Sequence, residues 1–579
     1  EFLLQPSSSS APCLCGEVFF SDPDRIPVGH SSSYNQLAMS HRKNGIVTAP
    51  QSEAAFEGAR VLDDGGNAAD ACVTAAFVQG IVDPHRCGVG GFGCSTISYR
   101  DPHSGEAQQL AIDFHGRAGG RAREDQWLER FESVAPDGFG FVVRDKVNDV
   151  GFQSVTVPGV VAGLGEIHRR FGSMSWGELI ERAVPYAEEG FQVPPELAEF
   201  WIRPGLFGRV STGDRLRFTE AGQKICFHSD GSTYRAGETF RQPELAETYR
   251  RIATEGPESL YHGRLAEEIA AEFQENGALV TAEDLANYKP TVLPVVQGEY
   301  RGHKLHSTPL PGGGVALLQA LRWVEAEGID RLEHNSPEYI DAVARVLQAV
   351  WHDRLNQQGD PSFGVPKDDH FLAPEYLETL KREAGETPPT GAASPDTTQL
   401  SVIDADGNAV SFSHSLGYNS GVYTKPHGIL FNNCMSAFDP RPGHSNSIQP
   451  GKARSTAVAE TIVEKEGETQ IVLGSPGAAR ITAGLLQVLI NRLAFEMNLA
   501  ESTVQPRFDG YGPGTLLLES RFPPSVVREL ETRGWNITQS AKPFGVVGRV
   551  YSVERSADGC TDAGVDPGSA GAAYRGGPR

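Results

Sequence analysis

Long apolar runs are missing from this chain. None of its 579 residues opens a stretch resembling the roughly 20 consecutive apolar residues of a membrane-spanning helix, and the apolar start Glu1–Gln5 is too short for a signal peptide. Positive charge is scarce as well: 51 Lys and Arg stand against 74 Asp and Glu, a formal charge of −23, and the basic residues form no run. That balance excludes a nucleic-acid partner, because phosphate-backbone binding depends on clustered Lys and Arg that release counterions. Cysteine is sparse, with eight residues at 13, 15, 72, 87, 94, 226, 434 and 560 and no Cys-x-x-Cys pair. Such scatter rules out a disulfide scaffold and leaves buried or incidental thiols. His85, His306 and His352 have neither a helical His-x-x-x-His partner nor a cysteine cluster, so no metal and no other cofactor is expected.

What remains is a composition ordinary for a soluble folded protein, cytoplasmic or secreted, with 39% hydrophobic and 22% charged residues. One sequon, Asn536-Ile-Thr538, would permit glycosylation in a secretory setting. Residues 1–40, with the Ser7–Ser10 run and scattered prolines, read as a loosely held arm, and the fold begins near Gly45. Two helices are predicted over Ser52–Asp63 and Ala68–Val82, parted by Gly65-Gly66, with Asn67 placed to cap the second. The dense glycines of Pro84–Gly93 imply a backbone that turns sharply or lies close to another segment. They are no dinucleotide fingerprint, since a helix precedes them and a strand, Cys94–Tyr99, follows.

Residues 123–290 read as mostly helical. A strand at Val295–Tyr300 then leads to a second glycine-rich turn, His306–Gly314, which opens a long helix. Further helices are predicted over Pro337–Asn356 and Leu372–Glu383. Thr387–Pro395 is the clearest linker, and it runs directly into Thr397-Thr398 and a hairpin: Leu400 and Val402 on one face, the turn Ala405–Asn408, then Val410 and Phe412. Strands at Ala459–Val463 and Gln470–Leu473 precede the turn Gly474–Arg480, whose backbone N–H groups are exposed at the start of the helix Ile481–Leu493. Gly559–Arg579 reads as surface wrap or disorder. Helices set among antiparallel strand pairs predict an α+β layered sandwich, sheet on sheet with helices outside.

The segments Thr397–Val410, Gly428–Asn433, Pro450–Lys452 and Gly474–Gly477, together with Gly65–Asn67 and Leu279–Leu285, resemble the γ-glutamyltranspeptidase (glutathione hydrolase) family in order from about residue 40 to 570. The resemblance implies a four-layer αββα sandwich of the N-terminal nucleophile (Ntn) hydrolase type. It also implies a precursor that cuts itself between Asp396 and Thr397, giving a large chain of 41–396 behind the arm and a small chain of 397–579, intertwined in one catalytic domain. Thr397 would be the nucleophile and its freed amine the base. Ser415 matches the family's orienting hydroxyl, and the N–H groups of Gly477 and Ala478 match its oxyanion hole. The partners implied are a small amide or peptide such as glutathione, and water or an amine as acceptor.

At the positions that hold the glutamyl group in the family, this sequence differs. His115 stands for the arginine, with Arg117 and Arg454 as replacement cations. Gly417 stands for Asn, Cys434 for Gln, Ser436 and Ala437 for an Asp pair, and Thr456 and Ala457 for two serines. A fixed guanidinium holds a carboxylate by two parallel charge-assisted bonds, which no other side chain reproduces. The first expectation is γ-glutamyl transfer or hydrolysis. An acylase or amidohydrolase acting on a non-glutamyl amide follows closely, and an uncleaved, non-catalytic relative is the third alternative.

Overall fold

The hairpin expected at 400–415 forms, and both of its strands are buried on both faces. The computed structural model describes residues 45–383 and 397–577, apart from 102–103, 105, 136–139 and 207. The arm 1–40, the linker Thr387–Pro395, Asp396, Cys13 and Cys15 lie outside the described residues.

Two all-antiparallel sheets carry the architecture. Their strands are, in chain order, β1 (Gly45–Ala49), β2 (Phe92–Arg100), β3 (Ala107–Phe114), β4 (Thr291–Pro294), β5 (Val296–Tyr300), β6 (His303–Ser307), β7 (Leu400–Ile403), β8 (Ala409–Ser415), β9 (Thr461–Lys465), β10 (Glu468–Gly474), β11 (Tyr551–Arg555), β12 (Thr561–Val565) and β13 (Ala572–Gly576). The first sheet runs β13-β1-β7-β8-β2-β3-β4 and the second β12-β11-β10-β9-β6-β5. The flanking helices include α1 (Ser52–Asp63), α2 (Ala68–Val82), α3 (Val160–Phe171), α4 (Gly314–Ala326), α5 (Pro337–Asn356) and α6 (Ile481–Leu493).

Strand alternation assigns the layers. Leu400, Val402, Val410 and Phe412 join one core with the apolar residues of α2 and α3. Ile403 and Ala409, with Ile46, meet Ile462, Val472 and Val553 of the other sheet. The outer face of the second sheet packs against α4, α5 and α6 through Val463, Ile471 and Leu473. The α+β sandwich of helix, sheet, sheet and helix is therefore present. Between the sheets, hydroxyls replace hydrocarbon: Ser401 donates to the Tyr551 carbonyl at 3.0 Å and Ser411 to the Leu473 carbonyl at 3.0 Å. These serines alternate with apolar residues as on a solvent-facing strand, yet they are fully buried.

The helix ends follow their capping residues. Asn67 accepts from the N–H groups of Ala69 and Asp70, while the Asp70 carboxylate accepts from the Asn67 N–H at 3.0 Å, a reciprocal capping box. One expectation changes: the segment from Gly559 is not surface wrap, because Thr561–Val565 and Ala572–Gly576 form an edge strand of each sheet. On α5, Asp353 accepts from Gln319 and Gln358 while Arg354 donates to the carbonyls of Pro311 and Thr456.

Candidate active site

Two adjacent threonines enter strand β7, and their surroundings tell them apart. Thr398 is fully buried: its hydroxyl accepts from Gln79 Nε2 at 2.8 Å and donates to Gln51 Oε1 at 3.1 Å, and its N–H donates to the His414 carbonyl. Thr397 has no such clasp. Its hydroxyl donates to Ser415 Oγ at 3.3 Å, which accepts the Gly417 N–H at 3.0 Å, and Thr397 lines a cavity of about 90 Å³ with Gln51, Asp83, Arg86, Leu197 and Arg549. Gln79 sits near the end of helix α2 and also accepts from His414 Nε2–H at 3.0 Å. Burial lowers His414 to about 3, so this ring is neutral and serves as a fixed donor.

Glycines set Ser415 where it is. A Cβ on Gly91 would lie 2.5 Å from the Ser415 carbonyl oxygen and one on Gly93 would lie 2.0 Å from that of Ser413, so the first glycine-rich turn is a close backbone approach to β8. The second turn is of the same kind, with a Gly313 Cβ falling 2.4 Å from the Ala457 carbonyl oxygen. At the Gly474–Ala478 turn, a Cβ on Gly474 would meet the Gln399 side chain at 2.3 Å, which brings this turn against the residue two positions after Thr397.

Ala478 has φ 48°, in the left-handed region that costs a side-chain-bearing residue roughly 1–2 kcal/mol. Ala478→Gly should relieve this strain, offset partly by unfolded-state entropy, for a net gain of roughly 0.5–1 kcal/mol. Thermal unfolding checks it, and an unchanged or lower midpoint would contradict the strain.

Of the residues expected at the acyl group, His115 and Arg454 meet at Phe92, which is paired in register with Ser415. The His115 ring tilts beside Phe92 with centroids 6.3 Å apart, and the Arg454 guanidinium lies over it at 4.3 Å. His115 is locked at both nitrogens, by Asp113 Oδ1 at 2.5 Å and Thr456 Oγ1 at 2.9 Å. Burial works to raise Asp113, but His115 and Arg117 outweigh it and hold the carboxyl below its usual range. Arg117 donates to Thr291 Oγ1 at 3.1 Å and lies 3.8 Å from Asp113, so its guanidinium has structural partners. Arg454 is buried, its basicity reduced first by burial and further by Arg209.

Burial pushes the Cys434 thiol up to about 11 despite Arg454, so it is a neutral thiol. Gly417 leaves room for the Asn433 side chain, whose oxygen would lie 2.5 Å from a Cβ there. Cys434, Ser436 and Ala437 share one buried helical turn, and Ala457 is buried beside Gly313. Of all these residues only Thr397 lines the cavity described above.

Sequence reasoning misses Gln51, Gln79, Gln399 and Glu460, all near the two threonines or the strands beneath them. The available signal is a polar or charged residue set in an apolar run: Gln79 alone within Ala75–Val82, and Glu460 as the one charge within Ala457–Val463. Among the described residues there is no group of three or more His, Cys, Asp or Glu that would hold a metal, and no helix long and apolar enough to cross a membrane.

Two stacked antiparallel sheets between helices, with the segment Thr397–Thr398 leading into a central strand, define the fold of an Ntn hydrolase. The profile of the family described as Gamma-glutamyltranspeptidase matches residues 54–575, and the chain belongs to that family. It is 33% identical over 533 residues to a glutathione hydrolase proenzyme of Pseudomonas aeruginosa, covering 85% of this chain and 89% of the relative. It is 32% identical over 519 residues to the Acylase ACY 1 proenzyme of Pseudomonas sp. strain V22, covering 86% and 88%. Among solved structures, the cephalosporin acylase of Bacillus halodurans superposes with a TM-score of 0.80 at 26% identity, covering 96% of this chain and 98% of that one. The protein is accordingly an enzyme of the Ntn-hydrolase class.

Proposed function

We propose that the chain is a self-processing threonine amide hydrolase and acyltransferase, cut between Asp396 and Thr397 into 41–396, behind its arm, and 397–579. The observation that carries this reading is the Thr397 hydroxyl, held by Ser415 at the entry to a central strand on a residue that lines a cavity, beside a Thr398 that is fully engaged. A threonine hydroxyl is a poor nucleophile at its own pKa, and an α-amine of pKa ~8 on the same residue can take its proton near neutral pH. Cleavage creates that amine. Thr397 Oγ1 then adds to the amide carbonyl, the developing oxyanion is met by the N–H groups of Gly477 and Ala478, and the amine leaves with a proton. Water or an acceptor amine releases the acyl group from Thr397 by the reverse sequence.

For the acyl group we propose γ-glutamyl amides of the glutathione type first, as the named activity of several relatives suggests. A second reading, a non-glutamyl acyl group bearing a carboxylate, is favoured by the residue types at the positions expected to hold the acyl group: Arg454 supplies a buried cation, whereas Gly417, Cys434 and Ala437 supply no carboxylate or amide for an ammonium group. Matched γ-glutamyl and glutaryl anilides, which differ only in the α-amino group, decide between them. The first reading expects kcat/KM to favour γ-glutamyl by about tenfold or more, the scale of one lost polar contact. A preference for glutaryl rejects it in favour of the second, and inactivity on both rejects the pair.

A further inference from the structure

Glu460, the residue before β9, is fully buried between the two sheets. Its Oε2 touches the Ser411 hydroxyl, and its Oε1 has no hydrogen-bond partner among the described residues. Ser411 Oγ also lies 3.0 Å from the Leu473 carbonyl and 3.1 Å from Gln399 Nε2. A serine hydroxyl has one proton to give and two lone pairs. With Glu460 protonated, all three contacts are made together: Glu460 O–H and Gln399 N–H donate to Ser411, and Ser411 donates to Leu473. With Glu460 ionised, the single Ser411 proton is claimed by two acceptors, one a buried carboxylate whose other oxygen is orphaned. Such an orphan is costly in a low-dielectric interior.

Ser411 joins parts of the site. Leu473 directly precedes the Gly474–Ala478 turn, Gln399 packs on Gly474 and directly precedes β7, and Ser413 Oγ lies 3.0 Å from the Thr398 carbonyl and 2.8 Å from Gln399 Oε1, either of which can take its one proton. We propose that Glu460, holding its proton, is a positioning residue that ties the strand entered by Thr397 to the Gly474–Ala478 turn. The proposal rests on the roles given above to Thr397 and that turn.

The electrostatics agree with the proton count. Burial raises the Glu460 carboxyl to about 7, although the neighbouring polar side chains of Ser411, Ser413 and Gln399 pull it downward. The ionisable groups coupled to it from packed elements are Cys72 of α2 and Cys94 of β2. Both thiols are pushed up, first by burial and then by the Glu460 charge, with Asp113 adding to Cys94, so neither supplies a countercharge. A carboxyl whose folded pKa is raised above its unfolded value of ~4.3 stabilises the fold fully below that value and loses the contribution as pH rises through about 7.

The test compares the full chain with Glu460→Gln, which donates to Ser411 at every pH, and with Glu460→Leu, which never does. Anilide hydrolysis, self-cleavage and thermal midpoint are followed from about pH 5 to pH 9. The wild-type rate and midpoint should fall on the alkaline side while those of Glu460→Gln do not, the ratio of their rates growing at least about tenfold between pH 6 and pH 9. Glu460→Leu should be slow throughout, and the amide variant should restore what the leucine loses. Superposable pH profiles for wild type and Glu460→Gln overturn the proposal, as does a midpoint that responds to pH with a rate ratio that does not. If both proteins are inactive and uncut, the assignment of Thr397 falls, and the melting curves alone decide whether the protonated carboxyl makes the tie.

Discussion

Thr397→Ala should leave one uncut chain and lower amide hydrolysis by about 10⁴-fold or more, the scale seen when the nucleophile of an acyl-transfer enzyme is deleted. Intact-mass measurement after prolonged incubation reads the first effect and anilide turnover the second. Thr398→Ala is the control that makes the result informative. It removes the partner of Gln51 and Gln79, so it should cost roughly 1–3 kcal/mol of stability through unsatisfied amides, yet still cut. Two chains from Thr397→Ala, or an uncut but folded Thr398→Ala, would move the nucleophile one residue along.

The second large effect concerns the fold. Arg507 and Asp566 are both fully buried and form an ion pair, with the Arg507 N–H donating to Glu519 at 3.1 Å. Burial works against the Arg507 charge, but Asp566 and Glu519 overcome it and its basicity ends above the ordinary value. Asp566→Ala strands that guanidinium in the interior and should cost about 3–5 kcal/mol. Urea unfolding of Asp566→Ala against its parent, both carrying Thr397→Ala so that a single chain unfolds, measures the loss. A change below about 1 kcal/mol would mean that water or Glu519 takes over the pairing.

Much of this structure is legible where local chemistry dictates it. The helices Ser52–Asp63, Ala68–Val82, Pro337–Asn356 and Ile481–Leu493 have the predicted bounds because caps, prolines and apolar spacing all act within a few residues. The hairpin after Thr398 follows from alternation and its turn residues. The strands Thr561–Val565 and Ala572–Gly576 are hidden in a Gly- and Asp-rich tail, because what makes them strands is a distant partner: Ala572–Gly576 pairs with Gly45–Ala49, at the other end of the described chain. Ser411 and Ser413 alternate with apolar residues as a solvent-facing side would, and both are fully buried.

The site divides in the same way. Thr397, Ser415 and the Gly474–Ala478 turn are singled out by the resemblance of their segments to the family, whereas the gathering of His115, Arg454 and Thr456 around Phe92 depends on tertiary packing of segments hundreds of residues apart. Which threonine stands free is likewise invisible in a Thr-Thr pair and is decided by Gln79, 319 residues from Thr398.

Strand β1 lies between β7, which Thr397 and Thr398 enter, and β13, formed by Ala572–Gly576. One edge of β1 is thus laid against the strand that follows Thr397 and Thr398 and the other against Ala572–Gly576, so the sheet that carries the candidate nucleophile is held by segments from both ends of the described residues.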